Sequence, residues 1–183
     1  MTRLDAIRVV VDVAGDAPIV SSLGHPSYDL FAAGDRPLNF YTWGSMGIAS
    51  SIGLGLALAH PDRRVIVIDG DGSLLMNLGS LATIGLLQPA NLVLVVVDNE
   101  AYATTGGQAT PTAHGADLAA AARAMRLDAR TVRTQEELRD ALGTGRGPLA
   151  IVAKVAESAP TVKPPLDCVL IKHRFMAALG NPE

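Results

Sequence analysis

The sequence has little of what a disulfide scaffold, a membrane protein or a nucleic-acid binder needs. Cys168 is its one cysteine, so no internal disulfide can form, and no His/Cys spacing around it makes a zinc site. A reducing compartment fits that usage. Lys and Arg, 15 together, are outnumbered by 18 Asp and Glu, and they are scattered along the chain. With a net charge of -3 and no basic face, nothing here is built to attract a phosphate backbone. The longest apolar runs, such as residues 92–97, fall far short of the roughly 20 residues that cross a bilayer, and no charged-then-apolar leader precedes Asp5. We therefore expect a cytoplasmic protein without membrane or nucleic-acid partners. Charged residues are few, 18% against 49% hydrophobic, which predicts that a partner chain covers part of the surface.

What is present is alternation. At 183 residues the chain suits one domain, 1–183, large enough for a single core. Helical and extended patterns alternate without repeats or long linkers, predicting an α/β fold with a mainly parallel sheet in three α/β/α layers. Leu4, Ile7, Val11 and Ala14 recur at helical spacing before Gly15, and residues 18–21 read as a strand. Pro26 suits the first position of a short helix to Phe31, and residues 34–37 break the chain. Small residues dominate 45–59, the pattern of a buried helix against which other backbones pack closely. Residues 65–68 and 92–97 are apolar and largely β-branched on both faces, as central parallel strands are. A helix over 74–87 joins them. Beyond lie a helix over 117–125, a strand near 129–132, a helix from Thr134, a strand over 149–155, and a final amphipathic helix marked by Ile171, Phe175, Met176 and Leu179. Thr134 with Glu137 forms a capping-box pattern.

Both central strands end in polar loops: Asp69-Gly70-Asp71-Gly72-Ser73 and Asp98-Asn99-Glu100-Ala101-Tyr102. Ligands of parallel sheets bind outside the carboxyl ends of the strands, so the two loops are expected to face one crevice. Asp71 and Asn99 stand 28 positions apart, the length of a helix and a returning strand. A hard cation such as Mg²⁺ takes one or two protein oxygens and fills its shell with phosphate and water, which suits Asp71, Asn99 and a diphosphate. Gly70 and Gly72 would let backbone N–H groups approach, Ser73 would add a hydroxyl, and a helix beginning near Ser73 would turn its positive end to the anion. Gly-Asp-Gly alone is also a common turn. An EF-hand loop from Asp69 fails, with Leu74 at its glycine position and Ser80 at its glutamate position. Gly-x-Gly-x-x-Gly and Walker patterns are absent.

Read whole, the segment from Gly70 to Asn99 resembles the thiamine diphosphate (ThDP) motif, which begins Gly-Asp-Gly and closes near an Asn pair after a strand. Asp98-Asn99 closes it here, and Ala101 stands where the family's third metal ligand, a glycine carbonyl, is usual. Upstream, Gly44-Ser45-Met46-Gly47 resembles the family's second cofactor segment. The resemblance implies that the Gly44 carbonyl accepts a hydrogen bond from the aminopyrimidine and that Met46 wedges beneath the bent cofactor. Ser45, Gly24 and His25 join the cofactor-binding set on the same ground, as do Tyr102 and Ala103. The implied metal ligands are Asp71, Asn99 and the Ala101 carbonyl.

Over nearly its whole length the chain resembles the sulfopyruvate decarboxylase β subunit, through residues 20–27, 39–51, 68–79 and 105–108; phosphonopyruvate decarboxylases share much of this, with a final helix like Lys172-His173-Arg174-Phe175-Met176. That family implies decarboxylation of a small acidic 2-oxo acid to an aldehyde. The sequence departs from it at Tyr28, where a basic residue is frequent. His25 reads either as a contact to diphosphate or substrate or as an exposed turn residue; His60 and His173 read as surface, and Cys168 as a packed or idle thiol. ThDP enzymes need a glutamate from a pyrimidine-binding domain, and Glu100, Glu136, Glu137, Glu157 and Glu183 all stand in the wrong context. No catalytic residue is therefore expected in this chain, and an α subunit is expected to supply the glutamate. Carboligation by the same cofactor, a non-catalytic ThDP-holding module and a plain nucleotide-binding module are the competing readings.

Overall fold

The computed structural model describes residues 1–145, 147–160 and 162–180. Strands β1 (Ile19–Ser21), β2 (Asn39–Tyr41), β3 (Val65–Gly70), β4 (Leu92–Asp98), β7 (Asp128–Val132) and β8 (Leu149–Lys154) form one parallel sheet in the order β2-β1-β3-β4-β8-β7. Between β4 and β7 the chain makes a small antiparallel pair, β5 (Ala101–Tyr102) with β6 (Gln108–Ala109). Helices α1 (Arg3–Ala14), α2 (His25–Ala33), α7 (Gln135–Thr144) and α8 (Cys168–Leu179) cover one face of the sheet. The other face carries α3 (Ala49–Ala59), α4 (Asp71–Met76), α5 (Ser80–Leu87) and α6 (Leu118–Ala124). This is the expected three-layer α/β/α arrangement.

Two cores result, one on each side. Ile66, Ile68, Val93 and Val95 enter the first, while Val65, Val67, Leu92, Leu94 and Val96 enter the second. Successive strand side chains point to opposite faces, so strands covered on both faces must be apolar at every position. Gly53 of α3 shows how tightly the second layer sits: a Cβ there would lie 2.1 Å from Val67 Cγ2. From β1 the chain runs outward to β2 and then returns to β3 on the other side of β1. Connections leaving in opposite directions open a crevice at the carboxyl ends of β1 and β3.

Several boundaries differ from expectation. The helix expected over 45–59 begins only at Ala49, because Ser45 (φ 59°) and Gly47 (φ 92°) adopt left-handed conformations that no α-helix accommodates. The helix expected over 74–87 is two. α4 starts at Asp71 and ends at Met76, and α5 begins at Ser80 after Asn77-Leu78-Gly79, whose Asn and Gly are poor helix formers. The strands β2, β5 and β6, of two or three residues each, were not foreseen. Among the described residues no helix is long and apolar enough to cross a membrane.

Candidate active site

The register that pairs Gly70 with Val97 sets the loops after β3 and β4 side by side. With the loop after β1 they wall an open cleft at the carboxyl edge of the sheet. Asp71, Asn99, Met46, Gly70, Ser73 and His25 all line it, as do Gly72, Ala101, Tyr102 and Ala103. Three of the expected cofactor residues stand elsewhere. Gly24 caps α2 beside the cleft, and Gly44 and Ser45 line a neighbouring groove with Trp43, Ile48 and Cys168. Gly47 ties the two cofactor segments together, its N–H donating to Ser73 Oγ at 3.0 Å. That hydroxyl therefore serves the Met46 loop.

The two glycines of this loop differ in what surrounds them. A Cβ on Gly72 would stand 2.4 Å from the Tyr102 ring, so this glycine admits the β5 aromatic. At Gly70 the nearest protein atom to such a Cβ is 3.9 Å away, and open cleft lies before it. Gly70 alone leaves backbone bare toward a ligand. The left-handed residue of the second loop is Glu100 (φ 61°), so the Ala101 backbone needs no glycine.

Asp71 is buried at the start of α4. Thr110 and Thr112 both donate to its Oδ2, the latter at 3.1 Å, and Thr112 also lies 2.9 Å from Oδ1 of buried Asp98. Lys154 closes this cluster, 2.8 Å from Asp98 Oδ2 and ion-paired with Glu100. Burial pushes the Asp71 carboxyl up, and Asp98 adds to this against the pull of the Thr110 hydrogen bond. Behind it Asp69 is fully buried, and burial raises its carboxyl to about 6. Its Oδ1 accepts from Gly70 N at 2.9 Å, while its Oδ2 and the Ser22 hydroxyl lack hydrogen-bond partners.

On the opposite wall Arg3 is buried against Asp29 at 2.8 Å and donates to the Ser158 carbonyl at 2.6 Å. Its remaining nitrogen reaches Glu157 at 3.3 Å. Glu157 also accepts a hydrogen bond from the Asn99 amide nitrogen. His25 Nδ1 approaches the same carboxylate at 3.4 Å without making a hydrogen bond. Burial and the Arg3 charge hold His25 below the usual imidazole range, with Glu157 pulling the other way. His25 is thus a cleft residue. Sequence reasoning missed Arg3, Thr110, Thr112 and the placement of Glu157; they come from distant segments, and no local pattern marks them. Cys168 is a free, exposed thiol at the start of α8.

These donors fit a metal-bound diphosphate. The cleft offers a carboxylate, an amide side chain and a loop carbonyl, a set of oxygen donors that a hard cation shared with a diphosphate would complete. Among the described residues no group of three or more His, Cys, Asp and Glu gathers into a metal cage. A cation here must share its shell with the ligand.

Residues 24–153 match the family model described as "Thiamine pyrophosphate enzyme, C-terminal TPP binding domain". The sulfopyruvate decarboxylase subunit beta of Methanocaldococcus jannaschii is 44% identical over 182 residues, spanning 97% of this chain and 96% of that one. The chain belongs to this family. Membership makes it a thiamine diphosphate-dependent decarboxylase chain. The phosphonopyruvate decarboxylase of Streptomyces viridochromogenes is 46% identical over 184 residues, but this chain spans only 43% of it. Among solved structures, one titled as a thiamin diphosphate-dependent enzyme from Mycobacterium smegmatis superposes with a TM-score of 0.75 at 25% identity. It covers 86% of this chain, which in turn covers 32% of it.

Proposed function

We propose that this chain is the β subunit of a ThDP- and Mg²⁺-dependent enzyme that decarboxylates sulfopyruvate to sulfoacetaldehyde, with a separate α chain completing the active site. The observation that carries this reading is the cleft itself. It joins Asp71, Asn99 and Met46 in one lining, and the two glutamates beside it, Glu100 next to Asn99 in the chain and Glu157 bonded to Asn99, are both ion-paired. Glu136 and Glu137 lie in the first turn of α7, and Glu183 is outside the described residues. The activating glutamate therefore comes from the partner. Bound here, the cofactor supplies the electron sink that lets a 2-oxo acid lose CO₂.

The chain's own groups do the holding. Asp71, Asn99 and the Ala101 carbonyl would hold Mg²⁺, whose charge would offset those of Asp71 and the diphosphate. Gly70 gives the diphosphate an unobstructed backbone, and Met46 supports the cofactor from its loop, kept in place by the Gly47–Ser73 hydrogen bond. Leu23, Met46 and Val97 give the cleft an apolar lining that limits water.

Calorimetry of ThDP with Mg²⁺, with and without the α chain, tests the reading, using Asp71→Ala as control. Tight binding only in the assembled enzyme, lost in D71A, supports it; unchanged binding in D71A sinks the metal assignment. A second substrate, phosphonopyruvate, is favoured by the 46% identity to its decarboxylase. Release of CO₂ from sulfopyruvate, phosphonopyruvate and pyruvate, each tried separately, decides between them.

A further inference from the structure

Asn99 is the least constrained of the expected metal ligands, because an amide can present either its oxygen or its nitrogen to a cation and only the oxygen binds. In this structure its nitrogen has a partner. Asn99 Nδ2 donates to Glu157 Oε2, across 58 positions of chain. An ionised carboxylate only accepts, so this contact settles which end of the amide faces Glu157. Arg3 pairs with the other oxygen of the same carboxylate at 3.3 Å.

Glu157 is itself placed from several sides. Just beyond β8, Val155 N donates to the Asp98 carbonyl at 3.0 Å, and Ala156 N donates to Met1 O at 3.0 Å. Ala156 also forms a parallel bridge with Thr2. Arg3, one residue further along, bonds the Ser158 carbonyl and reaches Glu157 Oε1 while Asp29 anchors it from below. The amino-terminal helix and the segment after the last strand thus lock around one carboxylate.

We propose that Glu157 is a positioning residue for the metal: by holding Asn99 Nδ2 it presents Asn99 Oδ1 to the cation, and the Arg3–Asp29 pair keeps it in place. The proposal rests on the Asp71–Asn99 metal reading. Without Glu157 the amide rotates freely and turns its nitrogen to the cation for part of the time. Losing such an outer partner weakens metal binding by about 10- to 100-fold.

The test is Mn²⁺ binding to the assembled enzyme with ThDP, read by electron paramagnetic resonance, for E157A, E157Q and D71A, and for N99D with and without E157A. We expect about tenfold weaker binding in E157A and partial rescue in E157Q, whose side-chain oxygen can still accept from Asn99. In the N99D background both side-chain atoms are oxygens and orientation no longer matters, so E157A should cause no loss there. Equal losses in the Asn99 and N99D backgrounds would make Glu157 a charge acting at a distance and overturn positioning. Unchanged binding in E157A while D71A abolishes it would overturn it too. Unchanged binding in D71A itself would remove the metal site and the proposal with it. The side-chain amide resonances of Asn99, assigned by their loss in N99D, report the contact without metal: they should move in E157A, and unmoved resonances refute the contact.

Discussion

Replacing Asp69 by Asn should stabilise the cofactor-free chain, and by an amount that depends on pH. Asp69 is fully buried behind the cleft, and one carboxylate oxygen and the Ser22 hydroxyl have no hydrogen-bond partner. Burial raises its carboxyl from an ordinary 3.8 to about 6. A folded-state pKa raised this far means that the neutral acid stabilises the fold below about pH 4, and that this contribution is lost as pH rises through about 6. Above that, keeping the group ionised costs roughly 3 kcal/mol. Asn keeps an oxygen for Gly70 N–H and brings an N–H₂ that can donate to Ser22 Oγ. Urea denaturation of wild type and D69N at pH 4 and pH 8 measures the difference. The two should be about equal at pH 4, and D69N more stable by up to roughly 3 kcal/mol at pH 8. A difference independent of pH, or a less stable D69N at pH 8, would refute the assignment of a desolvated carboxylate.

Three further outcomes are expected. Arg3→Met strands the buried Asp29 carboxylate and should cost about 3–5 kcal/mol in urea melts, with most of it recovered in R3M/D29L, where neither charge of the pair remains. Gly72→Ala puts a methyl 2.4 Å from the Tyr102 ring, displaces β5 and should weaken ThDP–Mg²⁺ binding; adding Tyr102→Ala should restore fold stability, measured as the melting temperature. Thr112→Val removes the hydroxyl shared by Asp71 and Asp98 and should cost roughly 1–2 kcal/mol near neutral pH, with less cost as pH falls and Asp71 takes up a proton.

The legible parts of the fold were those with local causes. Strands β3 and β4 are visible in the sequence because burial on both faces demands unbroken apolar runs. The α7 start is visible because Thr134 and Glu137 cap it through bonds three residues apart. The late start of α3 was not legible, since left-handed Ser45 and Gly47 belong to a loop that docks on Ser73, and the split between α4 and α5 rests on Asn77 and Gly79, weak signals inside an otherwise apolar run. That Gly72 makes room for the Tyr102 ring was hidden for a similar reason: a glycine beside an aromatic ring and one in open space look alike in sequence.

By itself the sequence determined the central strands, the two loops at their carboxyl edge, and the place of Asp71 and Asn99 in those loops. Strand ends in a parallel sheet must emerge together, whatever packs around them. What surrounds that pair was decided only in three dimensions. Thr110 and Thr112 reach Asp71 across about 40 positions, and Arg3 reaches Glu157 from the other end of the chain. Such contacts depend on where whole layers come to rest. No short-range spacing encodes them.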